Sequence, residues 1–296
     1  MNRLIMLIGL PASGKSTIAK EYHNIEKMVI HSSDELRLEL FGNYNVTNKN
    51  KIIFNILHRN ILDDLKKGID CVYDATNLSM KKRKQFLLTI PDYVYKEAIV
   101  VATNYLQCVE RDSSRVKRVG IQTIQRMRKN FQFPLEGEGF NNIEIRYTDD
   151  YVAPMNHIQD KMNNLKQDNP HHILTLGQHC SLAFTLAIKE NDYIRKALSI
   201  HDVGKLYTKS YVNSNGVATN IAHYYGHQNV GAYESMFILK NKKYSCENKY
   251  IVQLINYHMQ PYDIKTERSK KKWLNIFGKK LYNDIFLINK YDILAH

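Results

Sequence analysis

Gly9-Leu-Pro-Ala-Ser-Gly-Lys-Ser16 follows the apolar run Leu4–Ile8 and leads into the helix-compatible stretch Thr17–Glu21. Strand, glycine-bearing loop, Lys-Ser and helix in that order read as a phosphate-binding loop. The glycines let backbone N–H groups curl around phosphates, Lys15 reaches the β- and γ-phosphates, and the Ser16 hydroxyl is placed to ligate Mg²⁺. Gly9, Ala12, Ser13, Gly14, Lys15, Ser16 and Thr17 are therefore expected to hold ATP, or GTP, with Mg²⁺.

Working outward, the apolar runs Leu4–Ile8, Met28–His31, Cys71–Tyr73, Ala98–Ala102 and Ile143–Ile145 alternate with helical patterns such as Lys49–Lys67 and Met80–Leu88. This predicts an α/β domain, a parallel sheet flanked by helices. Ligands of such sheets gather beyond the carboxyl ends of the strands, which singles out Asp34 and Asp74. In His31-Ser-Ser-Asp-Glu-Leu-Arg37, one helical turn sets Asp34 and Arg37 on the same side. A carboxylate there can accept the proton of an attacking hydroxyl while the arginine holds a neighbouring phosphate; the plainer reading is a capping Asp beside a surface Arg. Asp74, in Val72-Tyr-Asp-Ala-Thr-Asn77, can hold Mg²⁺ through water or simply cap a turn. The stretch Arg111–Lys129 carries Arg111, Arg115, Lys117, Arg118, Arg126, Arg128 and Lys129 against the single acid Asp112. It suits a basic helical flap closing over ATP, with a solvated basic face as the alternative.

The second half has different chemistry. Nine of the 12 histidines lie from His157 onward, beyond a polar stretch at Asn156–Pro170. We place the boundary near 155, giving domains 1–155 and 156–296. Apolar residues then recur at helical spacing, as in Leu182, Leu186 and Ile188 or Ile251, Leu254 and Ile255, which predicts an all-α domain. The adjacent pair His201-Asp202 could share a metal with ligands from elsewhere: His179, His227, His258 and Asp292. Imidazoles with carboxylates suit Mn, Ni, Fe, Co or Zn, and a shared carboxylate could bridge two ions. For any single histidine, a hydrogen-bonded core residue is the competing reading. Only four residues follow Asp292, so the last helix is expected to be short.

With Gly9–Ser16, Asp34 and Arg37, Asp74-Ala-Thr-Asn77, and Arg111 with Arg115 in that order, the first half resembles the 5′-hydroxyl polynucleotide kinases of the phage and bacterial end-healing type. Ala75 and the Ser32-Ser33 lead-in depart from that pattern. The resemblance implies that Asp34 is the general base and that Arg37 binds a phosphate of the acceptor strand. Lys15 and Arg115 would stabilise the transferring phosphoryl group, and Arg111 would contact the nucleotide. His179, His201-Asp202, His227, His258 and Asp292 resemble the HD phosphohydrolase superfamily, whose ordered signature is H…HD…D with two further histidines in two-metal members. By that resemblance Asp202 bridges the metals and Lys205 neutralises the substrate phosphate, while His171 and His172 are candidates to line the pocket. His227 is preferred to His223 because Gly226-His-Gln-Asn-Val-Gly-Ala232 is a setting typical of the superfamily.

Together the resemblances imply a bifunctional enzyme that heals RNA or DNA ends. It would phosphorylate 5′-OH termini with ATP and remove 2′,3′-cyclic, 2′- or 3′-phosphate, upstream of a ligase. Two alternatives are a small-molecule or nucleoside kinase fused to an HD nucleotidase, and a non-enzymatic, nucleotide-switched RNA-binding module. A formal charge of +13 on 296 residues favours an anionic partner, RNA above all, and the length suffices for two cores. Cys71, Cys108, Cys180 and Cys246 form no C-x-x-C pair and read as reduced cytosolic thiols. No apolar run approaches the roughly 20 residues of a spanning helix, and no signal peptide precedes the first strand. A cytoplasmic protein without membrane contact is expected.

Overall fold

Leu4, Ile5, Met6, Leu7 and Ile8 are all fully buried. Consecutive burial means that strand β1 (Arg3–Ile8) is covered on both faces, as a central parallel strand must be. A computed structural model describes residues 2–296 except 45, 47, 171, 172 and 241–244, and does not describe the side chains of 245 and 246. His171 and His172 therefore lie outside the described residues. The chain packs as two units, Met1–Met127 with Pro134–Asp150, and Arg128–Phe133 with Tyr151–His296.

In the first unit, β1 is followed by α1 (Lys15–Glu26), β2 (Val29–Ser32), α2 (Ser33–Phe41), α3 (Asn50–Lys66), β3 (Cys71–Asp74), α4 (Met80–Leu87), β4 (Tyr95–Ala102), α5 (Tyr105–Ser114), α6 (Ile121–Lys129) and β5 (Asn142–Tyr147). The strands form one parallel sheet in the order β2-β3-β1-β4-β5. Order reverses on the two sides of β1, so the loop leaving β1 opens at a switch point, where open α/β sheets bind ligands. Ile53, Leu57, Ile61 and Leu65 give α3 a buried stripe one turn apart. Arg83 and Glu138, both essentially inaccessible, form a two-point ion pair, Nε to Oε2 at 2.8 Å and Nη2 to Oε1 at 2.7 Å. Arg83 also donates to the Asn77 carbonyl at 2.9 Å and so steadies the loop after β3.

The basic stretch forms two helices, α5 and α6, separated by a turn. Asp112 explains the break: its buried carboxylate accepts from the N–H groups of Val119 at 3.2 Å and Gly120 at 2.9 Å. Arg128 and Lys129 do not serve the flap. Arg128, with the second unit, pairs with buried Glu234 at 2.5 Å and lies over the Tyr207 ring.

The second unit contains α7 (Met155–Asn164), α8 (Leu176–Leu186), α9 (Asp192–Ile200), α10 (Lys205–Thr208), β6 (Ser210–Val212), β7 (Ala218–His223), α11 (His227–Ile238), α12 (Ser245–Tyr257) and α13 (Glu267–Leu294). It is helical apart from the antiparallel β6–β7 hairpin, a departure from the all-α expectation. Its turn is built by Asn213, whose side chain accepts from the Asn215 and Val217 N–H groups at 3.0 Å, and by Gly216 at φ 80°. Nor is the last helix short. Asp292 sits near the end of a 28-residue α13 that kinks at Gly278, φ 71° and ψ 163°. Among the described residues, no helix is long and apolar enough to cross a membrane.

Candidate active sites

The loop after β1 is tightly held. A Cβ on Gly9 would meet Ser13 Oγ at 2.8 Å and the Val101 carbonyl at 2.9 Å, and Gly14 turns the chain at φ 93°. No side chain caps α1; Thr17 N–H donates back to the Gly14 carbonyl at 3.1 Å, which leaves the N–H groups of Lys15 and Ser16 at the helix start to meet an anion. Thr103 Oγ1 donates to the Ser13 carbonyl at 2.7 Å, fixing the loop from the end of β4.

Lys15 Nζ, buried, donates to the Leu10 carbonyl at 2.6 Å. Burial lowers its pKa more than Asp74 raises it. Ser16 Oγ donates to Asp74 Oδ2 at 2.7 Å. Burial raises the Asp74 carboxyl, against the pull of Lys15 and the Ser16 hydroxyl. A hydroxyl and a carboxylate side by side next to a phosphate loop are the hard oxygen donors that Mg²⁺ takes, so the residues fit that ion.

Asp34, one residue into α2, receives Arg37 Nη1 at 2.9 Å and Lys117 Nζ at 3.3 Å. Arg37 also donates to Asn50 Oδ1 at 2.9 Å. Arg115 pairs with Asp112 at 2.6 Å, and Arg111 donates to the Thr148 carbonyl at 3.2 Å. Lys15, Ser16, Asp34, Arg37, Asp74, Arg111, Arg115 and Lys117 all line one cavity of about 1620 Å³. Of the further lining residues, Lys117 is legible in the sequence only as one cation of the basic run, and Asn50 and Thr148 carry no local signal.

In the second unit, α9 ends at Ile200 and His201 is its C-cap. The chain turns there, which lets the adjacent His201 and Asp202 side chains reach one point. His179 on α8, His227 opening α11, His258 just after α12 and Asp292 on α13 join them. Each of the four imidazoles places Nδ1 on a backbone carbonyl: His179 on Ala295 at 3.2 Å, His201 on Leu198 at 2.8 Å, His227 on Tyr224 at 2.9 Å, and His258 on Ile255 at 2.7 Å. A carbonyl can only accept, so Nδ1–H donates and each Nε2 is turned inward as an acceptor.

These acceptors form two groups that share Asp202: His179, His201, Asp202 and Asp292; and Asp202, His227 and His258. Asp202 Oδ2 lies 3.6 Å from both His179 and His201 Nε2, while Oδ1 lies 3.2 Å from His227 and 3.6 Å from His258 Nε2. Asp292 Oδ1 lies 3.1 Å from His179 and 3.3 Å from His201. Burial opposes ionisation of Asp202, yet Lys205 and His201 outweigh it and hold the carboxyl well below its usual range. Inward-facing imidazole nitrogens and carboxylate oxygens in this number call for positive charge, and the donor set suits one or two divalent transition metals. Lys205 Nζ donates to Asp202 Oδ2 at 2.7 Å and to Gln167 Oε1 at 2.9 Å. His223 lies apart, bonded to Thr219 and stacked on Tyr225.

The sheet order and the loop define the first unit as a kinase-like phosphate-loop domain, the fold of a phosphotransferase. A family model described as an AAA domain matches residues 4–134. Among solved structures, the chain is similar to one in the Pnkp1/Rnl/Hen1 complex, at 26% identity and TM-score 0.36, over 40% of each chain. A second match, from the Pnkp1/Rnl/Hen1 RNA repair complex, has 23% identity and TM-score 0.37 over 45% of this chain and 47% of that one. The chain thus spans less than half the length of these two. A gluconokinase from Sinorhizobium meliloti 1021 matches at 14% identity and TM-score 0.36, over 52% of this chain and 85% of its own. No curated protein matches the sequence.

Proposed function

We propose that the chain heals nucleic-acid ends, RNA in particular, by phosphorylating 5′-OH termini and removing 2′,3′-cyclic, 2′- or 3′-phosphate. The observation that carries the reading is Asp202, each of whose carboxylate oxygens faces its own pair of histidine Nε2 atoms, in a chain that also bears a kinase cavity.

In the kinase unit, Asp34 accepts the proton of the attacking 5′-hydroxyl while Arg37 holds a phosphate of the acceptor strand. Lys15 and Arg115 offset the charge that grows on the transferring phosphoryl group of ATP. Ser16 and Asp74 would hold the Mg²⁺. In the other unit, His179, His201, Asp202, Asp292, His227 and His258 would hold the divalent metals, which supply Lewis-acid activation of phosphate and water. Lys205 neutralises the substrate phosphate beside Asp202. A ligase would use the healed ends.

The test is an RNA oligomer with 5′-OH and 2′,3′-cyclic phosphate ends, incubated with labelled ATP and Mg²⁺ plus Mn²⁺, Ni²⁺, Co²⁺, Fe²⁺ or Zn²⁺ in turn. Conversion of both ends by one polypeptide is the expected result. A chain that leaves both ends untouched while phosphorylating free nucleosides or sugars overturns the proposal.

A further inference from the structure

The stretch Lys265-Thr-Glu-Arg-Ser-Lys-Lys-Lys-Trp273 sets five cations against one acid, and nothing in the chemistry above uses it. It forms the first turns of α13, started by Thr266, whose hydroxyl accepts from the Ser269 N–H at 3.1 Å. The sole carboxylate, Glu267, is taken by Lys270 at 2.6 Å. Among the described residues, Lys265, Arg268 and Lys271 have no ion pair, and all three are exposed. Arg268, Lys271 and Lys272 recur at helical spacing and so share one face.

The opposite face is anchored next to the histidine centre. Trp273, Ile276 and Phe277 are buried. Trp273 stacks on Phe277 with ring centroids 4.9 Å apart, and Phe277 meets Tyr257 at 5.3 Å. Tyr257 immediately precedes His258, and the same α13 carries Asp292 beyond the Gly278 kink. The basic face is thereby fixed to the elements that hold two of the inward-facing ligands. Tyr262, on the segment joining His258 to the basic stretch, is 43% exposed.

A mononucleotide is too small to need an array of unpaired cations on an outward helix face, whereas a strand carries a phosphate at every nucleotide. We propose that Lys265, Arg268 and Lys271 hold the phosphate backbone of a single-stranded RNA whose terminal phosphate occupies the Asp202 centre. This rests on the end-healing reading and deepens it: the substrate of the second unit is a polynucleotide end.

The experiment uses the full chain with Mn²⁺ and two substrates, a 12-nucleotide RNA ending in 2′,3′-cyclic phosphate and 2′,3′-cyclic AMP. The variant Lys265→Gln/Arg268→Gln/Lys271→Gln should raise KM for the oligomer roughly tenfold near physiological salt. It should flatten the log–log salt dependence of oligomer binding by about 2, as expected for three lost contacts to a single strand. Hydrolysis of 2′,3′-cyclic AMP should not change. Unchanged oligomer KM and salt slope in a variant that still hydrolyses 2′,3′-cyclic AMP overturn this inference while leaving end healing intact. A wild-type chain that hydrolyses the cyclic mononucleotide but not the oligomer overturns the end-healing reading itself.

Discussion

Gly204 lies so close to His227 that a Cβ built on it would stand 1.9 Å from the His227 carbonyl oxygen and 2.6 Å from the Gly231 nitrogen. Its backbone, at φ −63° and ψ −20°, is ordinary helix, so what the position requires is the missing side chain. The turn after Asp202 is thereby seated directly on the start of α11, which sets the spacing between Asp202 and the His227 ring.

Gly204→Ala should therefore force the two segments apart. Overpacking of this kind costs roughly 1–3 kcal/mol, read as a lower midpoint of thermal unfolding, and phosphohydrolase activity should fall with it. A variant with unchanged midpoint and activity would show that the contact does not set the site.

Lys15→Ala should remove phosphoryl transfer from ATP, by about 10²–10³ in kcat for loss of one charge-stabilising donor, and leave hydrolysis at the Asp202 centre intact. Asp34→Asn should depress turnover more than ATP binding, and Arg37→Ala should raise the KM of an oligomer acceptor and spare that of ATP. Steady-state kinetics with ATP and a 5′-OH oligomer separate the three. Loss of both activities in a folded Lys15→Ala protein would contradict independent sites.

Asp202→Ala should abolish binding of both transition metals and all phosphohydrolase activity. His258→Ala should lose mainly one ion, with activity partly restored by excess metal, because His258 belongs to only one of the two groups. Elemental analysis of purified protein decides it. A single ion at saturation, unaffected by His258→Ala, would leave His227 and His258 as core histidines.

His58 gives the kinase unit a pH limit. It stacks on Phe86 with ring centroids 4.0 Å apart and lies 2.9 Å from Tyr73 Oη. Burial pushes its imidazole down from 6.5 to about 4. The unfolded chain binds the proton more readily than the folded one, so this contribution is present above about pH 6.5 and is lost as pH falls toward 4. Denaturation midpoints of His58→Phe should decline less over that interval than those of the wild type; parallel curves would contradict the assignment.

What could be read from the sequence followed from how locally each feature is encoded. Strands β1, β3 and β4 stood out as apolar runs because burial on both faces leaves no polar alternation to confuse them, whereas β2 and β5, only partly buried, showed as short runs. Lys15 and Ser16 are set by contiguous residues, and His201-Asp202 by adjacency at the end of a helix. Asp112 counted only as the single acid of the basic run because, Arg115 aside, its partners are N–H groups seven and eight residues on, which no side-chain pattern reports. Arg128 looked like part of the flap because its partner, Glu234, lies 106 residues away. The hairpin did carry a local signal, Asn215-Gly216 between β-branched residues, obscured by helical periodicity on either side.

The placement of Arg128–Phe133 also bears on how such a chain can be divided. Phe133 N–H donates to Asn256 Oδ1 at 2.6 Å, Tyr257 Oη donates to the Phe133 carbonyl at 2.8 Å, and Asn229 Nδ2 donates to the Lys129 carbonyl at 2.7 Å. A fragment starting at residue 156 would thus leave Glu234 buried without its arginine and Tyr257 and Asn256 without their backbone partners. The polypeptide passes between its two units three times. Neither can be excised, swapped or inherited by a single cut, and during synthesis the stretch Arg128–Phe133, made before the last strand of the first unit, must wait for partners more than a hundred residues further on.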